Sequence, residues 1–248
     1  MSGDERASQT RGLSQVSTAL ASGPIEVLGL MPGASNATFL VRCGTGLDEE
    51  LAIYKPQRGE APLWDFPDGS LHRREVAAYE VARALGWPGV PATLVRTGPH
   101  GPGSLQRFVR FDPQAHYFTL AASHREEFAL VASFDLVINN ADRKGGHCLM
   151  DEDGQIWVID HGVCFAEEPK LRTVIWDHIG DPLPAGAVED LQRLCEDLDG
   201  DGVLRRRLEE LLDPAEVMAT RTRVSALLSA GTFPEPDPST RPFPWPPI

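Results

Sequence analysis

Residues 134–165, FDLVINNADRKGGHCLMDEDGQIWVIDHGVCF, constrain the fold more than any other stretch of this chain. They begin as an apolar helix and break into a polar loop after Asn139-Asn140-Ala141. They continue as two short strands around a turn and close on an acid beside glycine in Val158-Ile159-Asp160-His161-Gly162. The change of periodicity predicts a helix–loop–hairpin unit. Asp142 heads the loop, with Lys144 two residues on and His147 five on.

A base, a cation and two metal-ligand candidates on one folded-back unit suit phosphoryl transfer, where positioning and phosphate charge dominate the chemistry. Each residue also has a plainer reading. Asp142 is either a proton acceptor or an Asx-turn residue. Lys144 either steadies a phosphoryl group or faces solvent. His147 and Asp160 either share a divalent ion or, for the histidine, fill a structural role. Histidine is an unusual ligand for Mg²⁺ and tilts such a site toward Mn²⁺. An acid at the mouth of the apolar run Trp157-Val158-Ile159 makes a better ligand than core residue.

Elsewhere the pattern predicts a short helix over 13–21, then strands at 25–30, 37–42 and 51–54, with a turn at 31–36. A helix follows over 71–85, capped by Ser70. Two strands, 90–96 and 104–110, flank the turn GPHGPG. Helices are predicted over 126–139, 187–198, 203–212 and 214–229. Strands with one helix come first and helices second, which is an α+β, two-lobed layout. The expected divisions are an N-terminal segment 1–24, a first lobe 25–110, a second lobe 111–231 and a proline-rich tail 232–248. That tail is either disordered or an extended arm laid on the surface. On the 71–85 helix, Glu75 shares the small, inward face with Ala78, Tyr79 and Ala82, and Glu80 falls on the other side near Arg73 and Arg83. Lys55 ends a strand. It either pairs with Glu75 to hold nucleotide phosphates or is a surface lysine. The turn Gly33 to Asn36, including Ser35, either covers phosphates with backbone N–H groups or is an ordinary hairpin.

Only Lys55, Lys144 and Lys170 are lysine among 23 basic residues, so each stands out against a surface furnished with arginine. Net charge of −13 argues against nucleic-acid partners and bulk attraction to anionic membranes. No apolar run spans a bilayer and MSGDERASQTRG has no signal-peptide core, so a cytoplasmic protein without stable membrane association is expected. The four cysteines form no CxxC pair and read as buried thiols. Asp197 to Gly202 copies half a calcium loop, but Leu208 stands where a bidentate glutamate is required, so an acidic inter-helix turn is expected.

Taken together, Asp142-Arg143-Lys144-Gly145-Gly146-His147 is similar to the DRxNDN-like catalytic loop, and Ile159-Asp160-His161-Gly162 to the IDNG-like metal motif, of type II phosphatidylinositol 4-kinases. Gly103-Ser104-Leu105-Gln106-Arg107-Phe108-Val109 resembles their GSFQLFV-like strand at the adenine hinge. Over about residues 25–165 the chain thus resembles the protein-kinase-like superfamily in its phosphatidylinositol 3-/4-kinase branch. The resemblance implies a two-lobed fold with an antiparallel-sheet N-lobe and a mainly helical C-lobe. It implies ATP with Mg²⁺ or Mn²⁺ as cofactors and a hydroxyl-bearing acceptor as partner. Lys55 and Glu75 would serve the ATP phosphates, Ser35 and Asn36 would cover them, and Gln106, Phe108 and Val109 would meet adenine. Asp142 and Lys144 would be catalytic, and Asp160 and His147 would bind metal. His147 replaces the family asparagine, and the family's cysteine-rich stretch is missing. A small-molecule or protein hydroxyl is therefore expected ahead of a phosphoinositide. The alternative is a nucleotide-binding regulatory module. The sequence specifies neither acceptor nor oligomeric state.

Overall fold

The computed structural model describes residues 15–33 and 36–248. Its first part is an antiparallel sheet of β1 (Ile25–Leu30), β2 (Phe39–Cys43), β3 (Glu50–Pro56), β4 (Thr93–Gly98) and β5 (Gly101–Arg107), in the order β1-β2-β3-β5-β4. A short helix, α1 (Thr18–Ser22), precedes it, capped by Ser17 Oγ accepting from the Leu20 N–H at 3.1 Å. Alternation on β3 sends Ala52 and Tyr54 into the core and leaves Ile53 and Lys55 together on the opposite face. The β4–β5 turn is tighter than expected, because both strands run on in regular register until Gly98 pairs with Gly101. A side chain at Gly98 would meet the Tyr54 ring at 2.7 Å, so only glycine lets the hairpin close there.

α2 (Leu71–Leu85) connects the sheet to the rest of the molecule. All of it except Arg73, Arg83 and Ala84 is buried, because the sheet covers one side and later helices the other. Glu75 does face inward. The outward reading of Glu80 does not hold: it is buried too, paired with Arg83 at 2.8 Å and with Arg207 at 3.2 Å. Ser70 makes no side-chain cap either. Glu60 replaces it, accepting from the N–H groups of Leu71 (3.1 Å) and His72 (2.8 Å).

The second part contains α3 (Tyr117–Leu120), α4 (Arg125–Ile138), the hairpin β6 (Cys148–Met150) and β7 (Ile156–Val158), then α5 (Ala185–Asp199), α6 (Val203–Glu209) and α7 (Pro214–Ala230). α4 ends at Asn139 with φ 52°, a left-handed conformation that asparagine tolerates. Its side chain then ties down the following segment through Ala166 O (2.9 Å), Glu168 O (2.7 Å) and the Lys170 N–H (2.9 Å). Asp213, Pro214 and Glu216 build a capping box for α7. The acids of 197–201 face arginines rather than one another: Asp197 accepts from the Arg205 N–H at 3.0 Å and Asp199 pairs with Arg221 at 2.6 Å.

Residues 232–248 form an extended arm. Phe233 is buried and exchanges backbone bonds with Asp181 and Gly180, each 3.0 Å. Further on, Pro242 O accepts from the Thr173 N–H at 3.0 Å and Pro247 O from the Gly145 N–H at 2.7 Å. Among the described residues no helix is long and apolar enough to cross a membrane.

Candidate active site

A cleft of about 550 Å³ opens between the β3 face and the loop–hairpin unit. Lys55, Glu75, Asn36, Gln106, Phe108, Val109, Asp142, Lys144, His147 and Asp160 all line it. Ser35 lies outside the described residues.

Lys55 reaches the cleft because β3 alternation puts it there, and Glu75 because it sits on the inward side of α2. The Lys55 ammonium contacts Glu75 Oε1 and lies 2.8 Å from Asp160 Oδ1. Burial opposes its charge, but Asp160 and Glu75 outweigh that effect and raise its pKa above the ordinary lysine value. Glu75 Oε2 accepts from the His161 N–H at 2.9 Å, so one buried carboxylate orients both the lysine and the turn after β7. Asp160 adopts φ 63°, which reverses the chain after β7. Its half-exposed carboxyl is held well below the usual aspartate range, chiefly by Lys55.

The polar loop is organised from beneath. Arg143, fully buried, donates to both oxygens of Asp135 on α4 at 2.9–3.1 Å, to Ile159 O at 3.0 Å and to His161 Nε2 at 2.8 Å. This bracket clamps the loop to the turn that carries Asp160. Asn140 Oδ1 accepts from the Asp142 N–H at 3.0 Å, so the Asx turn belongs to Asn140 and leaves the Asp142 carboxyl free to face the cleft. Lys144 Nζ lies 3.1 Å from Asp142 Oδ2. Burial raises the Asp142 pKa, and Lys144 limits the rise. His147 Nε2 lies 3.3 Å from Asp160 Oδ2, and its Nδ1 accepts from the Lys144 N–H at 3.4 Å. In the neutral ring the proton is therefore on Nε2, directed at Asp160. Burial brings the His147 pKa down to about 4, so the ring is neutral at pH 7.

These donors suit a divalent ion in a limited way. Among the described residues no group of three or more His, Cys, Asp or Glu side chains forms a closed cage. An open site with one carboxylate fits an ion completed by phosphate oxygens and water. Asp160 would hold it, and His147 only once its proton has left Nε2.

At the far end, Val109 is buried, and its backbone N–H and carbonyl bond to nothing among the described residues. Gln106 faces the cleft but donates its amide to Thr93 Oγ1 at 2.9 Å. Asn36 Oδ1 accepts from the Ala61 N–H at 2.8 Å, and both residues line the cleft. Sequence reasoning missed the apolar walls Ile53, Leu149 and Ile159. Ile53 was available from alternation, since it shares a face with Lys55. It also missed Glu60, which caps α2 and lines the cleft.

The architecture is protein-kinase-like. It covers 85% of this chain and 93% of the Helicobacter pylori proinflammatory kinase CtkA with a TM-score of 0.53, at 12% sequence identity. The profile of the family described as phosphatidylinositol 3- and 4-kinase matches residues 73–219, and the chain belongs to that family. The match includes Glu75, Asp142 and Asp160 and begins after Lys55. A Mycobacterium tuberculosis protein, Protein Rv2133c, is 38% identical over 92% of this chain and 93% of its own length. Phosphatidylinositol 4-kinase gamma 4 of Oryza sativa is 34% identical over 44% of this chain, and that of Arabidopsis thaliana 29% identical over 54%. The alignments span only 22% and 28% of those plant proteins.

Proposed function

We propose that the chain is an ATP-dependent phosphotransferase acting on a hydroxyl of a small molecule or a protein. The observation that carries this reading is the placement of Lys55, Glu75 and Asp160 in one contact chain, with Asp142 and Lys144 in the same cleft. Lys55 would hold nucleotide phosphates while Glu75 fixes its ammonium. Adenine would lie between Ile53 and Leu149 with its polar edge on the Val109 backbone. Mg²⁺ or Mn²⁺, when bound at Asp160, supplies neutralisation of phosphate charge.

In the transfer the acceptor oxygen bonds to the γ-phosphorus, the bond to the β,γ-bridging oxygen breaks and ADP leaves. The acceptor proton passes to Asp142, whose raised pKa makes it a better base than an exposed aspartate. Lys144 would offset charge on the transferred group. A second reading, a nucleotide-binding module with little transfer, is favoured by the His147 proton that points at Asp160.

Thermal denaturation with ATP and Mg²⁺ or Mn²⁺ tests both readings at their common step. A nucleotide at ~100 times its Kd adds ~2.7 kcal/mol to stability. No stabilisation by ATP with either ion would remove both.

A further inference from the structure

We propose that residues 242–248 of the proline-rich arm form the acceptor-side wall of this site, admitting small hydroxyl compounds and shutting out macromolecular ones. The inference rests on the phosphotransferase reading and specifies its acceptor.

The arm is fixed on both flanks of the turn that carries Asp142. On one flank Pro242 O accepts from the Thr173 N–H at 3.0 Å and from Trp176 Nε1 at 3.3 Å. Thr173 belongs to the segment that pairs with Arg143, through Arg143 N–H to Arg172 O at 2.9 Å and Val174 N–H to Arg143 O at 3.1 Å. On the other flank the Gly145 N–H donates to Pro247 O at 2.7 Å, one residue beyond Lys144. A Cβ placed at Gly145 would lie 3.4 Å from Pro247 O, and one at Gly146 would lie 3.9 Å from Ile248 Cγ2. The two glycines that replace polar residues of the DRxNDN-like pattern are the residues the arm rests against.

The arm leaves the nucleotide side open. None of its residues lines the cleft. In this proposal the acceptor approaches Asp142 from the Gly145 and Thr173 side, to which the arm is bonded. The arm cannot serve as acceptor itself, since Pro-Phe-Pro-Trp-Pro-Pro-Ile carries no hydroxyl. Its prolines restrict the free chain, so docking costs less entropy than it would for a flexible segment.

The test compares the full chain with one ending at Arg241 and with Trp176→Phe, which removes one bond to Pro242. Transfer of γ-phosphate is measured to glycerol and to denatured casein. Truncation is expected to raise transfer to casein by about tenfold or more, because an intramolecular blocker acts at high effective concentration. Trp176→Phe is expected to give a smaller gain, and the ATP KM is expected to stay within about twofold, since the arm leaves the cleft free. A synthetic peptide of residues 241–248 is expected to reverse the gain in competition with casein and not with ATP. Transfer with the same acceptor profile in full and shortened chains would overturn the wall alone. Where truncation unfolds the chain, Trp176→Phe decides, and no gain overturns the proposal. No transfer by any of the three chains would overturn the phosphotransferase reading, and the wall with it.

Discussion

Lys55 Nζ and Asp160 Oδ1 stand 2.8 Å apart although 105 residues separate them in sequence. Through Glu75 the same ammonium also engages α2. One side chain thus ties the sheet, the helix behind it and the turn after β7 into a single arrangement.

Loss of that ammonium should be felt in stability as well as in binding. Lys55→Met leaves the buried Glu75 carboxylate with only the His161 N–H, at an expected cost of about 2–3 kcal/mol. The double variant with Glu75→Gln is expected to recover part of it, read from urea midpoints. A pH signature accompanies this. The Asp160 pKa is depressed in the folded state, chiefly by Lys55, so its contribution is present above the ordinary aspartate range and lost as the pH falls through the folded value. In Lys55→Met the acid-side slope of stability is expected to flatten.

Glu60 caps α2 from a loop. Glu60→Ala is expected to cost about 1–2 kcal/mol, the value of a lost N-cap. Burial opposes its charge, but hydrogen bonds from His72 and Leu71 hold its pKa below the usual glutamate value. Its stabilisation is therefore present above the ordinary glutamate range and fades on acidification through the folded value. Thermal melts across that range, with Glu60→Gln as comparison, check the sign.

The acid limb of the rate should follow Asp142. Burial raises its pKa while Lys144 and Arg172 lower it and Asp160 raises it. A base must be ionised to act, so kcat/KM is expected to rise with pH through a value above that of an exposed aspartate. Removing the cation in Lys144→Met is expected to move this limb to higher pH. A limb that moves to lower pH would remove Lys144 from contact with the base.

His147 makes metal preference testable. Its Nε2 proton must leave before it can bind an ion, whereas an asparagine oxygen needs no such change. His147→Asn is expected to raise the ratio of Mg²⁺- to Mn²⁺-supported transfer about tenfold, in line with the preference of Mg²⁺ for oxygen. An unchanged ratio would exclude His147 from the ion.

The loop–hairpin unit was legible because its chemistry is local: Asp142, Lys144, His147 and Asp160 lie on one short stretch whose periodicity changes twice. Lys55 and Glu75 were legible from a strand end and a helix face. Glu80 was not, since the helical wheel assumes one buried face and α2 is enclosed on both. Glu60 was hidden because a cap supplied 11 residues before Leu71 leaves no signature at the cap position. Arg143 and Asp135 were hidden because both look like surface charges, and only their mutual contact makes burial tolerable. The arm left two readings open, since proline content sets extension but not the surface on which it lies.

The most direct measurement compares γ-phosphate consumption from ATP in the native chain and in Asp142→Asn, with ATP-induced thermal stabilisation measured on both. Loss of the base is expected to cut turnover about 10²–10⁴-fold while the stabilisation by ATP persists. Equal turnover in the two proteins would contradict the assignment of Asp142 as the base of a phosphotransferase.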